Sequence, residues 1–156
     1  MKKQTILLTI IVGLWGCQEN TTDLTNEQRT AIAKDVNQIV TSIYDLASNK
    51  DLSIYKHFSD STTGIFSGTI MPSWEEHKRQ MADFFSGQAK IESEIEIVDT
   101  DVLSSNTALV LAKYKMAVTD KEGETFNSPT ACITYVFNKT NGQWKIVHFH
   151  DSEPKE

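Results

Sequence analysis

The sequence predicts an α+β fold in which helices pack on one face of a curved antiparallel sheet. Three observations predict it. Apolar residues recur at helical spacing in two stretches that end before Gly87. From Ile91 onward the rhythm changes to alternating or continuous runs of β-branched and aromatic residues. Those runs are separated by short turn sequences, the mark of hairpins and not of crossover helices.

Thr25-Asn26-Glu27-Gln28 is a capping box, in which a Thr side chain caps the helix and Gln28 reaches back. Ile32, Val36, Ile39, Ile43 and Leu46 follow as one apolar stripe, so a long first helix runs to Asn49-Lys50-Asp51. Leu52 to Phe58 reads as a short second helix and Thr62 to Gly68 as a short strand. Ser73-Trp74-Glu75-Glu76 is a second capping-box sequence. It opens a third helix whose apolar face holds Trp74, His77, Met81, Phe84 and Phe85 and which Gly87 ends. Ile91 to Val98 alternates Glu92, Glu94 and Glu96 with less polar residues, the pattern of a strand with one wet face. Those acids lack the loop oxygens of a calcium site. Thr107 to Val118 is a nearly continuous apolar strand, Lys121-Glu122-Gly123 a turn, and Glu124 to Asn138 a return strand interrupted at Pro129. Asn141-Gly142 favours a tight hairpin because both residues accept positive φ. Trp144 to Ser152 closes the sheet.

Ahead of this domain, Lys2 and Lys3 precede a short apolar run from Ile6 to Val12, and Leu14-Trp15-Gly16-Cys17 follows. A membrane span needs about 20 apolar residues, more than this run supplies. The segment resembles the signal peptide and lipobox of bacterial lipoproteins. The resemblance implies cleavage before Cys17, lipid on its thiol, and a protein anchored in the bacterial cell envelope. Trp15 departs from the small residue usual at that place. The expected organisation is a signal peptide over residues 1–16, a polar tether over 17–24, the folded domain over 25–152 and a tail over 153–156. Loss of Lys2 and Lys3 takes the formal net charge from −6 to −8. So acidic a surface repels phosphate backbones, which argues against a nucleic-acid partner. Cys17 and Cys132 are the two cysteines. With Cys17 lipidated, Cys132 has no disulfide partner, and its neighbours suggest a small buried residue.

The element order, with Asp51-Leu52-Ser53-Ile54-Tyr55-Lys56-His57-Phe58 after the first helix, resembles the SnoaL-like branch of the nuclear transport factor 2-like superfamily. Trp144, Val147, His148, Phe149, His150 and Ser152 are also similar to the closing strand of the calcium/calmodulin-dependent protein kinase II association domain, a Trp-x-x-Val-His-Phe-His-x-Ser segment. The resemblance covers Thr25 to Ser152 and implies a cystatin-like cone with an internal pocket. In the kinase domain an Arg follows the second His and lines that pocket. Asp151 stands there in this chain, so its carboxylate-binding role does not carry over.

Strand alternation assigns candidate sites. Lys145, Val147, Phe149 and Asp151 share one face, expected to meet Ile133, Tyr135 and Phe137 and then Leu109, Leu111, Lys113 and Lys115. With Tyr44, the expected pocket lining is Leu111, Lys115, Ile133, Tyr135, Phe137, Val147, Phe149 and Asp151. Asp151, Tyr135 and Lys115 are the candidates for acid–base chemistry. The other face carries Trp144, Ile146, His148 and His150. Two imidazoles could hold a metal only with a third ligand that the sequence does not supply, so no metal or cofactor is expected. These four residues are expected to pack against a second copy of the chain in a homodimer. The combined expectation is an envelope lipoprotein that binds a small organic ligand or scaffolds a dimer without turnover. The alternative is an isomerase, dehydratase or hydrolase working in the same pocket.

Overall fold

Thr25 starts the first helix as its sequence requires: its Oγ1 accepts from Gln28 N at 3.2 Å while Gln28 Oε1 accepts from Thr25 N at 2.9 Å. The computed structural model describes residues 24–66, 68–71 and 73–153. The leader, Cys17 and the last three residues of the tail lie outside them, as does the tether apart from Leu24. Helix α1 (Asn26–Ser48) buries Val36, Val40, Ile43 and Tyr44. It ends where Asn49 N donates to Asp45 O and Lys50 enters the left-handed region at φ 55°. A 3-10 helix (Leu52–His57) leads into β1 (Phe58–Phe66) and the two-residue β2 (Thr69–Ile70). Ser73 caps α2 (Trp74–Gly87) through Glu76 N, but the Glu76 carboxylate binds Arg79 and Gln80 instead of reaching back. The remaining strands are β3 (Gln88–Ser104), β4 (Thr107–Asp120), β5 (Thr125–Asn127), β6 (Ala131–Thr140) and β7 (Gln143–Ser152).

The strands form one sheet in the order β2-β1-β7-β6-β4-β3, with β5 on β4. All pairings are antiparallel except β1 with β7, which is parallel, so the sheet is mixed. The long β3–β4 ladder contains three register shifts. Extra residues of this kind bend a strand and increase its twist, and the sheet here curves around α1. Polar ties fix the helix to β3: Arg29 Nη1 donates to Val102 O at 2.6 Å, and Ser93 Oγ donates to Tyr44 O at 3.0 Å. The predicted Asn141-Gly142 turn has φ of 52° and 78°, the conformation that sequence favours. The core lies between α1, α2 and the concave face, with Phe137 and Ile146 fully enclosed at its centre.

Cys132 corrects an expectation. It is exposed, because the buried positions of β6 are Ala131, Ile133, Tyr135 and Phe137 and Cys132 falls on the other parity.

Candidate functional site

The concave face and the two helices line a partly open cavity of about 370 Å³. Helix α1 contributes Ile43, Tyr44 and Ala47, and α2 contributes His77, Met81 and Phe85. The sheet supplies Phe58, Tyr114, Ile133, Tyr135 and Phe149, while Phe66, Phe84, Met116 and the amide of Gln80 complete the wall. No Asp, Glu, Lys or Arg lines it. Apolar walls with a few fixed polar groups are the usual make-up of a small-molecule site.

Three phenols supply most of the polarity. Tyr44 Oη and Tyr135 Oη lie 3.3 Å apart, longer than the usual hydroxyl pair, so that bond is weak. Tyr114 packs its ring 5.4 Å from that of Tyr44 and donates its hydroxyl to Asp151 Oδ2 at 2.9 Å. Burial raises the pKa of all three phenols. The negative charge of Asp151 adds to the rise in each. They therefore stay protonated and act as hydrogen-bond donors, not as bases. Asp151 is fully buried and sits behind Tyr114, outside the cavity wall.

The remaining ionisable group is His77. Its ring stacks on Trp74 at 5.5 Å with an 18° interplanar angle and lies 5.9 Å from Phe149. Burial lowers its pKa below 6.5, so the imidazole facing the cavity is neutral at pH 7. Gly64 shapes the opposite side. A Cβ there would meet the Phe149 ring at 2.5 Å, so only glycine lets β1 lie this close to that ring.

The family model of the SnoaL-like domain matches residues 36–156. The chain belongs to the SnoaL-like domain family. Among curated proteins, none matches this sequence. Solved structures share the fold of this SnoaL-like domain at low identity. A nuclear transport factor 2-like protein from Streptomyces avermitilis, provisionally assigned as a dehydratase, superposes with a TM-score of 0.71 at 17% identity, over 81% of this chain and 99% of its own. The association domain of calcium/calmodulin-dependent protein kinase II from C. elegans gives 0.66 at 22% identity, over 82% and 100%. A hexachlorocyclohexane dehydrochlorinase gives 0.70 at 10% identity, over 81% and 88%.

Of the residues expected in the pocket of the SnoaL-like domain, Tyr44, Ile133, Tyr135 and Phe149 line it. Phe137 and Asp151 are buried beside it. Leu111 and Lys115 are corrections. The inward side chains of β4 are Ala108, Val110, Ala112 and Tyr114, so Lys115 is exposed on the outer face and Leu111 is only partly covered. Lys113 and Lys115 mark the outer parity of this strand, and Leu111 shares it. Val147 is a third correction. Phe137 pairs with Ile146 and Val136 with His148, leaving Val147 as an extra residue in a bulge.

That bulge also overturns half of the predicted interface. It switches the parity of β7, so Trp144 and Ile146 face the core together with Phe149 and Asp151. His148 and His150 stay on the outer face, His148 with its Nδ1 2.9 Å from Thr63 Oγ1. Sequence reasoning left Tyr114 and His77 out of the site. Tyr114 was hidden by the parity error, whereas His77 gave a usable signal: an ionisable residue inside the apolar stripe of α2.

Proposed function

We propose that this SnoaL-like domain binds a small, uncharged and largely apolar organic molecule in its cone without turning it over. One observation carries the reading: the cavity wall is aromatic, it holds no charged side chain, and its hydroxyl groups are protonated donors. A ligand with an apolar body and one acceptor oxygen would fill the space and take a hydrogen bond from Tyr44 or Tyr135. Titration with a neutral apolar fluorophore, N-phenyl-1-naphthylamine, tests this. Saturable binding weakened by Tyr135→Phe only for competitors bearing an acceptor oxygen is expected; no saturable binding would sink it.

His77 favours a second reading, an isomerase or dehydratase acting on such a molecule. A neutral imidazole on an apolar wall can take a proton while a phenol donates to the oxyanion that forms. The dehydratase assignment and dehydrochlorinase activity of two fold relatives are consistent with it. Turnover of a cavity-bound compound that disappears in His77→Gln, with binding retained, would establish this reading over the first.

The same proposal places the mature chain on the envelope through lipid on Cys17, supported by the lipobox-like sequence. Cys17→Ser is expected to release it from membranes, and persistent anchoring would refute the point. Pairing of two copies is supported by the partly exposed rung of Leu109, Val136 and His148 on the outer face. Val136→Glu should lower the mass in sedimentation; an unchanged mass argues against that face.

A further inference from the structure

The space inside the cone continues past its mouth. A second hollow, of about 580 Å³, begins there, and Phe66, Phe84, Tyr114 and Met116 line both. Strand β4 makes them continuous. Its inward stripe runs through Ala112, Tyr114, Met116 and Val118 at the two-residue period of a strand. Ala112 and Tyr114 are buried, whereas Met116 and Val118 are only half-buried. Helix α2 gives this outer hollow Phe84 alone. The sheet, by contrast, gains a strand there. Phe126 of β5 pairs with Val118, so the two side chains share a face. Ser128 fixes β5 in place: its N–H donates to Met116 O at 2.8 Å and its Oγ accepts from Met116 N at 2.9 Å.

The result is an aromatic shelf outside the cone. Phe126 is 67% exposed and Phe66 50%. A single exposed apolar residue needs no explanation, but a patch of them rimmed by polar groups marks a binding surface. Its position says what covers it. A ligand whose oxygen meets Tyr44 or the buried Tyr135 inside the cone points its other end toward the mouth. Electrostatics restrict that end. Asp120 and Glu124, on the hairpin beyond Val118, line the hollow with Glu153, and no Lys or Arg does so among the described residues. These carboxylates repel a negative group and leave an apolar end in contact with Val118 and Phe126.

We infer, building on the ligand proposed for the cone, that this ligand is elongated: a long-chain alcohol or similar molecule, oxygen inward, whose apolar chain passes Phe66 and Phe84 and lies on the shelf of Val118 and Phe126. Phe126 is then a specificity-determining residue. It lies outside the cone wall and meets only chains long enough to leave the cone.

The test is displacement of N-phenyl-1-naphthylamine from the full chain by hexanol, octanol, decanol and dodecanol. Affinity should rise at every step to dodecanol, by up to about fourfold per added methylene. Phe126→Ser changes an exposed position, and it should weaken dodecanol about tenfold while leaving hexanol unchanged. The ω-hydroxy acid of dodecanol's length should bind more weakly than dodecanol, and Glu124→Gln should recover part of that loss. Affinity that levels off beyond hexanol, or a Phe126→Ser effect that is absent or shared equally by hexanol and dodecanol, would overturn the shelf and leave the cone reading intact. Failure of both the fluorophore and hexanol to bind would instead remove the cone reading, and the shelf with it.

Discussion

The cone and the surface cleft of Lys56, His57 and Lys145, where α1, the end of the 3-10 helix and the start of β7 meet, are two hollows of one small domain. They are built on opposite principles. The cone is partly enclosed, largely aromatic and free of Asp, Glu, Lys and Arg, and its polar groups are phenols, the Gln80 amide and an imidazole, with burial favouring the neutral form of the phenols and the imidazole. The cleft is open to solvent and carries three ionisable basic side chains and one acid. Both share β7, which sends Phe149 into the cone and presents Lys145 to the cleft. The difference teaches that the cone wall doubles as the hydrophobic core, so changes there must alter stability and binding together. The cleft is built largely from surface groups, so changes there should leave stability nearly unchanged.

The sharpest way to break that contrast is Phe149→Ala. The ring is 5% exposed and packs on Phe58 and His77. Its removal should cost about 3–5 kcal/mol in chemical denaturation. A loss below about 1 kcal/mol would show that the cone wall is not the core. Tyr114→Phe comes next. It removes the hydroxyl that donates to buried Asp151, and leaving a buried carboxylate short of a donor should cost about 1.5–3 kcal/mol. Gly64→Ala should cost about 1 kcal/mol, at the low end for overpacking, because the Phe149 ring it meets has the empty cavity to move into. The same change should weaken binding of an apolar probe by shrinking the cavity. Lys56→Met supplies the contrast, with a stability change within about 0.5 kcal/mol, the usual range for exposed positions.

The smallest effect is a pH dependence. Burial lowers the pKa of His77, and of His57, below 6.5, so the unfolded chain binds more protons than the folded one near that pH. Stability from these groups is complete above about pH 6.5 and is lost as the pH falls through the lowered values. Midpoints measured between pH 7.5 and 5.5 should therefore decrease, and His77→Phe should flatten the decrease. A midpoint that rises on acidification would contradict the burial of these rings.

Much of this organisation is legible in the sequence. The capping residues Thr25 and Ser73, the Asn141-Gly142 turn and the helical stripe from Ile32 to Leu46 are local signals, written in residues that act where they stand. The parity of β7 is not local. In β4 two lysines do write it: Lys113 and Lys115 share a face with Leu109 and Leu111, which leaves Ala108, Val110, Ala112 and Tyr114 to the core. In β7 one bulge residue, Val147, makes strict alternation fail, and nothing in Lys145-Ile146-Val147-His148 announces it. Trp144 and Ile146, expected at an interface, therefore face the core, while Phe149 after the bulge lines the cavity. The exposed Cys132 follows from the same limit, since a small residue between apolar neighbours fits either face.

The central claim, that the cone takes a neutral apolar molecule while the cleft does not, is tested most directly by one comparison. The full chain, Ala47→Phe and Lys56→Met are titrated with N-phenyl-1-naphthylamine under identical conditions. Ala47 lines the cavity, so a phenyl ring there should fill it. The prediction is a single saturable site in the wild type, retained in Lys56→Met and lost in Ala47→Phe. Binding that survives in Ala47→Phe, or that disappears in Lys56→Met, would contradict the account.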